Sequence, residues 1–185
     1  MSEQDAACIE RSRRDPEAFA EVFRRYAPDL TRYVTRRLGR DAADDVVAET
    51  FLAAFRQRDR YDPARPSARP WLYGIATNQM GRHVRAEVRQ LRVLERTGTD
   101  QVTAPFTDRS DDRVSAQASG RSLAGALAAL PKGHRDALLL IAWADLNYEE
   151  TAQALGVRLG TVRSRVSHAA PRTRQEQSDN GGGHP

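Results

Sequence analysis

Two sets of polar side chains have the types and spacing to grip nucleic acid. Asn78, Arg82, Arg85, Arg89 and Arg92 stand at i, i+4, i+7, i+11 and i+14. At about 100° per residue these positions keep to one narrow stripe along a helix. The stripe holds no carboxylate, so it is a continuous positive ridge headed by an amide. An amide can pair with an exposed base edge while guanidinium groups follow a backbone, which suits single-stranded or melting DNA. The second set is Arg163, Ser164, Ser167 and His168, with Arg165 among them. These are donors for base edges and phosphates in a major groove. The alternative for either set is a solvated basic face.

Catalysis has no comparable constellation. His83 and Glu87, at i and i+4, lack a third metal ligand nearby and read better as a surface pair. There is no phosphate-cradling glycine loop with a lysine and no nucleophile elbow. Cys8 is the one cysteine. It excludes an intramolecular disulfide framework and a cysteine-based zinc site, and reads as a passive thiol rather than a redox sensor. No catalytic residue, metal or cofactor is therefore expected, and chemistry is assigned to a partner.

The second set needs a helix-turn-helix to carry it. Asn147 can cap a helix and Glu150 can return the bond as a capping box. That helix buries Ala152 and Leu155 and stops at Gly156, which tolerates a left-handed exit. A second helix starts near Gly160-Thr161 and buries Val162, Val166 and Ala169 at i, i+4 and i+7. Pro171 removes a hydrogen bond at a cost of roughly 3 kcal/mol inside a helix, so the recognition helix is short. Arg172 and Arg174 then reach phosphate from an irregular tail. Upstream, Leu123, Leu127 and Leu130 make a stripe ended by Pro131. A helix from Asp136 to Ala144 is apolar over more than one face, so something beyond its own domain covers it.

The first set sits on a helix opened by Pro70 and packed down by Trp71, Leu72, Ile75 and Ala76, after a proline-rich loop at residues 61–70. Before it, residues up to Arg14 are polar and form a short helix or a frayed end. Asp15-Pro16 starts a helix with Phe19, Val22, Phe23 and Tyr26 on its buried face. Pro28 bends or restarts it, and Leu30, Tyr33, Val34 and Leu38 continue the stripe to Gly39. Asp41 caps the next helix, residues 42–56, whose Val47, Phe51 and Phe55 face inward. Asp45, Glu49, Leu52 and Arg56 form a separate outward stripe. Asp44 and Asp45 suit the helix dipole, but Glu49 beside an exposed Leu52 marks a contact surface.

The pattern fails from about Glu95 to Gln117, a polar stretch with more acids than bases. The expected organisation is all-α, two small helical domains joined by a flexible linker, the C-terminal one a helix-turn-helix. Its parts are residues 1–94, a linker at 95–117, residues 118–176 and a disordered tail at 177–185. A chain of 185 residues suffices for this. Its net charge of +4 and pI of about 9.7 fit a polyanionic partner. Lys132 is the only lysine among the bases. Arginine suits bidentate contacts, though a high-GC genome gives the same bias. No apolar run can span a bilayer and the N-terminus is no signal peptide, so a cytoplasmic protein without membrane insertion is expected.

Tyr148-Glu149-Glu150-Thr151-Ala152, Leu155-Gly156-Val157 and Gly160-Thr161-Val162-Arg163-Ser164-Arg165 resemble the promoter-reading C-terminal segment of bacterial RNA polymerase sigma factors, above all the extracytoplasmic-function (ECF) group. The stretch from Asp41 to Phe55 resembles the segment that grips the clamp helices of the polymerase's largest subunit, which implies core-polymerase contacts by Asp44, Asp45, Glu49 and Leu52. Ala48 stands where the family commonly has glutamine. Trp71-Leu72-Tyr73-Gly74-Ile75-Ala76-Thr77-Asn78 resembles the segment that captures the −10 element. This implies that the preceding loop holds a flipped base and that Asn78 touches this element. Family linkers thread the polymerase's template channel. Ala129-Leu130-Pro131 and Leu138-Leu139-Leu140 imply a contact with the flap tip or with an anti-sigma protein. The resemblance implies a sigma factor that binds core RNA polymerase and promoter DNA, reads −35 and −10 elements and promotes melting. The alternatives are a helix-turn-helix regulator that is not a polymerase subunit, and a protein-binding relic that no longer reads DNA.

Overall fold

Helices are the only regular elements among the residues that the computed structural model describes, 2–65, 67–97 and 125–169. They are α1 (Ser2–Ser12), α2 (Phe19–Leu38), α3 (Arg40–Arg56), α4 (Arg69–Thr97), α5 (Lys132–Ala144), α6 (Tyr148–Leu155) and α7 (Leu159–Ala169), with 3-10 turns at Pro16–Ala18 and Arg58–Arg60. Residues 125–129 are helical as well. The all-α expectation holds. Of the expected linker only 95–97 are described, as the end of α4. Leu123, Pro171, Arg172, Arg174 and the 177–185 tail lie outside the described residues.

The N-terminal segment is a core helix. Asp5, Cys8, Ile9 and Ser12 recur at i, i+3, i+4 and i+7 and are all buried. Cys8 donates its S–H to Glu21 at 2.9 Å. Burial, and then that carboxylate, raise the thiol's pKa, which keeps it protonated. Asp15 accepts from the Glu17 N–H at 3.2 Å and caps the Pro16–Ala18 turn. From Phe19 the chain continues as one helix to Leu38 with Pro28 inside it, so the helix does not restart at the proline. Val22 before the proline and Leu30, Tyr33 and Val34 after it are buried. That packing offsets a local cost of roughly 3 kcal/mol. Phe23, expected in the core, is 46% exposed, with its ring edge-on to Phe51 at the rim.

The start of α3 also differs from expectation. The cap position is Gly39, at φ 87°, and no side chain caps the helix. Only glycine takes that angle without strain. Asp41 lies in the first turn, where it favours the helix dipole. Val46, Val47, Thr50, Phe51 and Ala54 face inward. In α4, Leu72, Tyr73, Ile75, Ala76 and Met80 do the same.

The C-terminal helices fold on a small core of Ala137, Ala152 and Val162, flanked by Ile141, Leu155, Val157 and Val166. The capping box between Asn147 and Glu150 is present, and Gly156 exits left-handed at φ 63°. α5 begins at Lys132, four residues before the expected start. Lys132 and Asp136 pair across one turn there. The other face of α5 is covered from within the chain. Leu139, Leu140, Ala144 and Leu146 join one core with Leu30, Tyr33, Leu72 and Tyr73 of the N-terminal helices. Arg69 donates to the Ala144 carbonyl at 2.6 Å. Gly74 lets α4 approach the Ala154 carbonyl so closely that no Cβ would fit.

Candidate nucleic-acid interface

Three outward surfaces carry the residues singled out by sequence. On α4, Asn78, Arg82, Arg85 and Arg89 are all exposed. Burial of Leu72, Tyr73, Ala76 and Met80 on the opposite side turns that stripe outward. No described carboxylate pairs with these arginines, and the nearby Glu87 lies 3.3 Å from His83 Nε2. Arg92 lies on the same helix, but its side chain is outside the described residues.

Lys132 was not singled out for this surface. Its Cε and the Arg85 guanidinium approach Gly81, at 3.3 and 3.6 Å from where a Cβ would stand. The first turn of α5 thus stands beside the ridge, with the Lys132 ammonium paired to Asp136. Sequence spacing within α4 cannot reveal a residue brought in from 51 positions further along the chain.

On α7, Val162 is fully buried and fixes the helix. Arg163, Ser164, Ser167 and His168 are exposed on the other side. His168 lies edge-on to His134 of α5, with ring centroids 6.3 Å apart. Arg165 is placed differently. It is half-buried, and its guanidinium reaches within 3.0 Å of where a Gly133 Cβ would stand, so it leans on α5. Glycine at 133 makes room for it.

On α3, Asp44, Asp45 and Glu49 are exposed and have no ion-pair partner among the described residues. Leu52 beside them is 40% exposed. An acidic row without ion-pair partners among the described residues thus borders an uncovered leucine on this face. The three surfaces sit on three different helices. No group of three or more histidine, cysteine, aspartate or glutamate residues among those described could hold a metal ion.

The arrangement matches known proteins on both halves. Residues 22–90 match the Sigma-70 region 2 family and residues 120–170 match Sigma-70 region 4. The chain is 34% identical over 148 residues to the ECF RNA polymerase sigma factor SigE of Mycolicibacterium smegmatis, covering 79% of this chain and 56% of that one. It is 33% identical to the RNA polymerase sigma factor HrpL of Pseudomonas syringae, over 80% of each chain. The solved structure of CnrH in complex with the cytosolic domain of CnrY has a TM-score of 0.60 and 27% identity, covering 90% of this chain and 92% of that one. With both regions present in order, and a relative this similar matched over most of its length, the chain belongs to the ECF group of RNA polymerase sigma factors.

Proposed function

We propose that the three surfaces divide the work of promoter-specific initiation as follows. The α3 row of Asp44, Asp45, Glu49 and Leu52 binds the clamp helices of core polymerase. The α7 face of Arg163, Ser164, Ser167 and His168 reads the −35 element, with Arg165 bracing that helix. Asn78 reads an exposed base of the −10 element while Arg82, Arg85, Arg89 and Arg92 hold the displaced backbone. The protein is not an enzyme itself; polymerase performs the chemistry. It acts in the cytoplasm, and no described helix is long and apolar enough to cross a membrane. Residues 1–94 and 118–176 are its two working domains, joined by residues 95–117.

The observation that carries this reading is the acid-free, outward α4 ridge on a different helix from the major-groove face. A regulator reading closed duplex has no use for a second grip suited to unpaired strand. The domain contact gives a further condition. The −35 and −10 elements are about 25 base pairs apart, roughly 85 Å at 3.4 Å per pair. A compact chain of this length is only about 40 Å across. The α5–α6 face must therefore leave the N-terminal helices before both elements are read at once. That frees Leu139, Leu140 and Trp143 for the polymerase flap tip or an anti-sigma protein. Run-off transcription with purified core polymerase and genomic fragments tests the function. Discrete products that depend on this chain are expected, and their absence on every fragment overturns the assignment.

A further inference from the structure

The most buried carboxylate of the N-terminal half, Asp5, is 1% exposed and has no part in the three surfaces above. It lies before residue 22, where the match to region 2 begins. One of its oxygens pairs with Arg25, and the other accepts from the Tyr26 hydroxyl. That second oxygen also accepts from the Ala68 backbone N–H at 3.0 Å. Ala68 is fully buried, so no water could replace this partner. Its carbonyl in turn accepts from Leu72 N–H at 3.0 Å, so Ala68 stands at the entry to α4. The adjoining Ser67 hydroxyl lies 3.3 Å from the Tyr26 hydroxyl and accepts from Arg69 N–H at 3.2 Å. The Ala68 N–H is thus tied to Asp5 directly and the Ser67 hydroxyl through Tyr26, while the Arg69 side chain reaches across to the Ala144 carbonyl.

We propose that Asp5 is a positioning residue for promoter opening, fixing the start of α4 and thereby aiming Asn78. This rests on the reading of α4 as the helix that takes the −10 base. The apolar side chains of α4 hold it against the core, but apolar packing is non-directional and tolerates rotation and sliding. Hydrogen bonds to a buried carboxylate set angle and register. Asn78 lies ten positions beyond Ala68, about 15 Å along the axis at 1.5 Å per residue. A tilt of about 10° at the entry would displace Asn78 by roughly 2–3 Å, several times the ~0.5 Å tolerance of a working site. The first helix of the chain would then govern base reading from across the domain, without touching DNA.

A purely structural role for Asp5 makes a different prediction. Loss of folded protein scales activity on all templates alike and leaves ratios between templates unchanged. The test is transcription by core polymerase with the full-length Asp5→Asn, Asp5→Ala and Tyr26→Phe variants. Templates differ at the start-proximal base and are supplied as duplex or with a pre-melted bubble. Asp5→Asn keeps the volume and one acceptor; Tyr26→Phe keeps the Asp5–Arg25 pair and serves if both Asp5 variants fail to fold. The expected result is a fall in the matched-to-mismatched ratio by about fivefold or more, near the low end of base discrimination. A bubble should restore much of the activity, and core-polymerase binding should persist. Unchanged ratios in the folded variants overturn the proposal. Asn78→Ala in parallel separates the two claims. If its ratio is also unchanged, the reading of α4 fails; if its ratio falls and those of the Asp5 and Tyr26 variants do not, only the role of Asp5 fails.

Discussion

Arg37 of α2 and Asp136 of α5 meet at 2.9 Å although 99 positions separate them in the chain. Their side chains are only 12% and 3% exposed. Arg37 also donates to the Tyr33 hydroxyl at 3.0 Å, and Lys132 gives Asp136 a second cation. Burial opposes the charge on Arg37, but Tyr33 and Asp136 outweigh it and raise its pKa. A buried ion pair is a weak source of net stability but a strong source of specificity, since either partner alone is left desolvated. It is well suited to an interface that must form in one register and later separate.

Replacing Asp136 with asparagine should therefore loosen the domain contact. Removing one partner of a buried pair typically costs about 3–5 kcal/mol. Small-angle scattering should show a larger radius of gyration with helix content retained. An unchanged radius in the folded variant would mean that the apolar contacts of Leu139, Leu140 and Leu146 hold the domains without the pair.

Reversing charge at Glu49 addresses the polymerase surface. Glu49→Arg should weaken capture of core polymerase several-fold while circular dichroism stays unchanged, because the residue is exposed and unpaired. Normal capture by the folded variant would remove α3 from the interface.

On α7, Arg163→Ala should cost on the order of 1–3 kcal/mol and relax preference at one or two upstream base pairs. Arg165→Ala should instead lower thermal stability, since that side chain leans on Gly133. Selection of upstream sequences from a random pool checks the first, and a melting curve the second. Identical selected sequences for wild type and Arg163→Ala would mean that the groove is read by other residues.

Alkaline pH tests the polar cluster beneath α4. Burial first, and then the hydrogen bond to Asp5, push the Tyr26 hydroxyl up to about 12. A folded-state pKa above the unfolded value of about 10 means stability that is fully present below pH 10 and lost as pH rises through about 12. Tyrosinate absorbance against pH should show late ionisation, and Tyr26→Phe should reduce the loss of stability in that window. Early ionisation of Tyr26 in the folded protein would contradict the buried arrangement.

Much of this was legible because local chemistry decides it. The Asn147–Glu150 capping box, the Gly156 exit and the outward Asn78 and Glu49 stripes follow from spacing alone. What escaped depends on contacts between distant segments. Asp5 and Ser12 look like solvent-facing residues of a polar end until Arg25, Tyr26 and Ala68 fold over Asp5. Pro28 signals a bend or a restart, and packing on both sides keeps the helix from restarting. The broad apolar face of α5 announces a cover without saying what supplies it, and in this structure the cover is the chain's own N-terminal half. Arg165 stands three positions after the buried Val162, on the flank of the core-facing stripe, and its guanidinium lies against Gly133 of α5.

The central claim is that α4 opens DNA, and permanganate reactivity of start-proximal thymines tests it most directly. Wild-type protein with core polymerase should make those thymines reactive on a duplex promoter. Asn78→Ala should reduce that reactivity and blunt discrimination at one base, with a pre-melted bubble restoring much of the transcription. Arg85→Ala should weaken binding across sequences and lower its salt dependence by about one phosphate contact. Normal thymine reactivity with both variants on duplex DNA, or none with wild type, would contradict the role assigned to this helix.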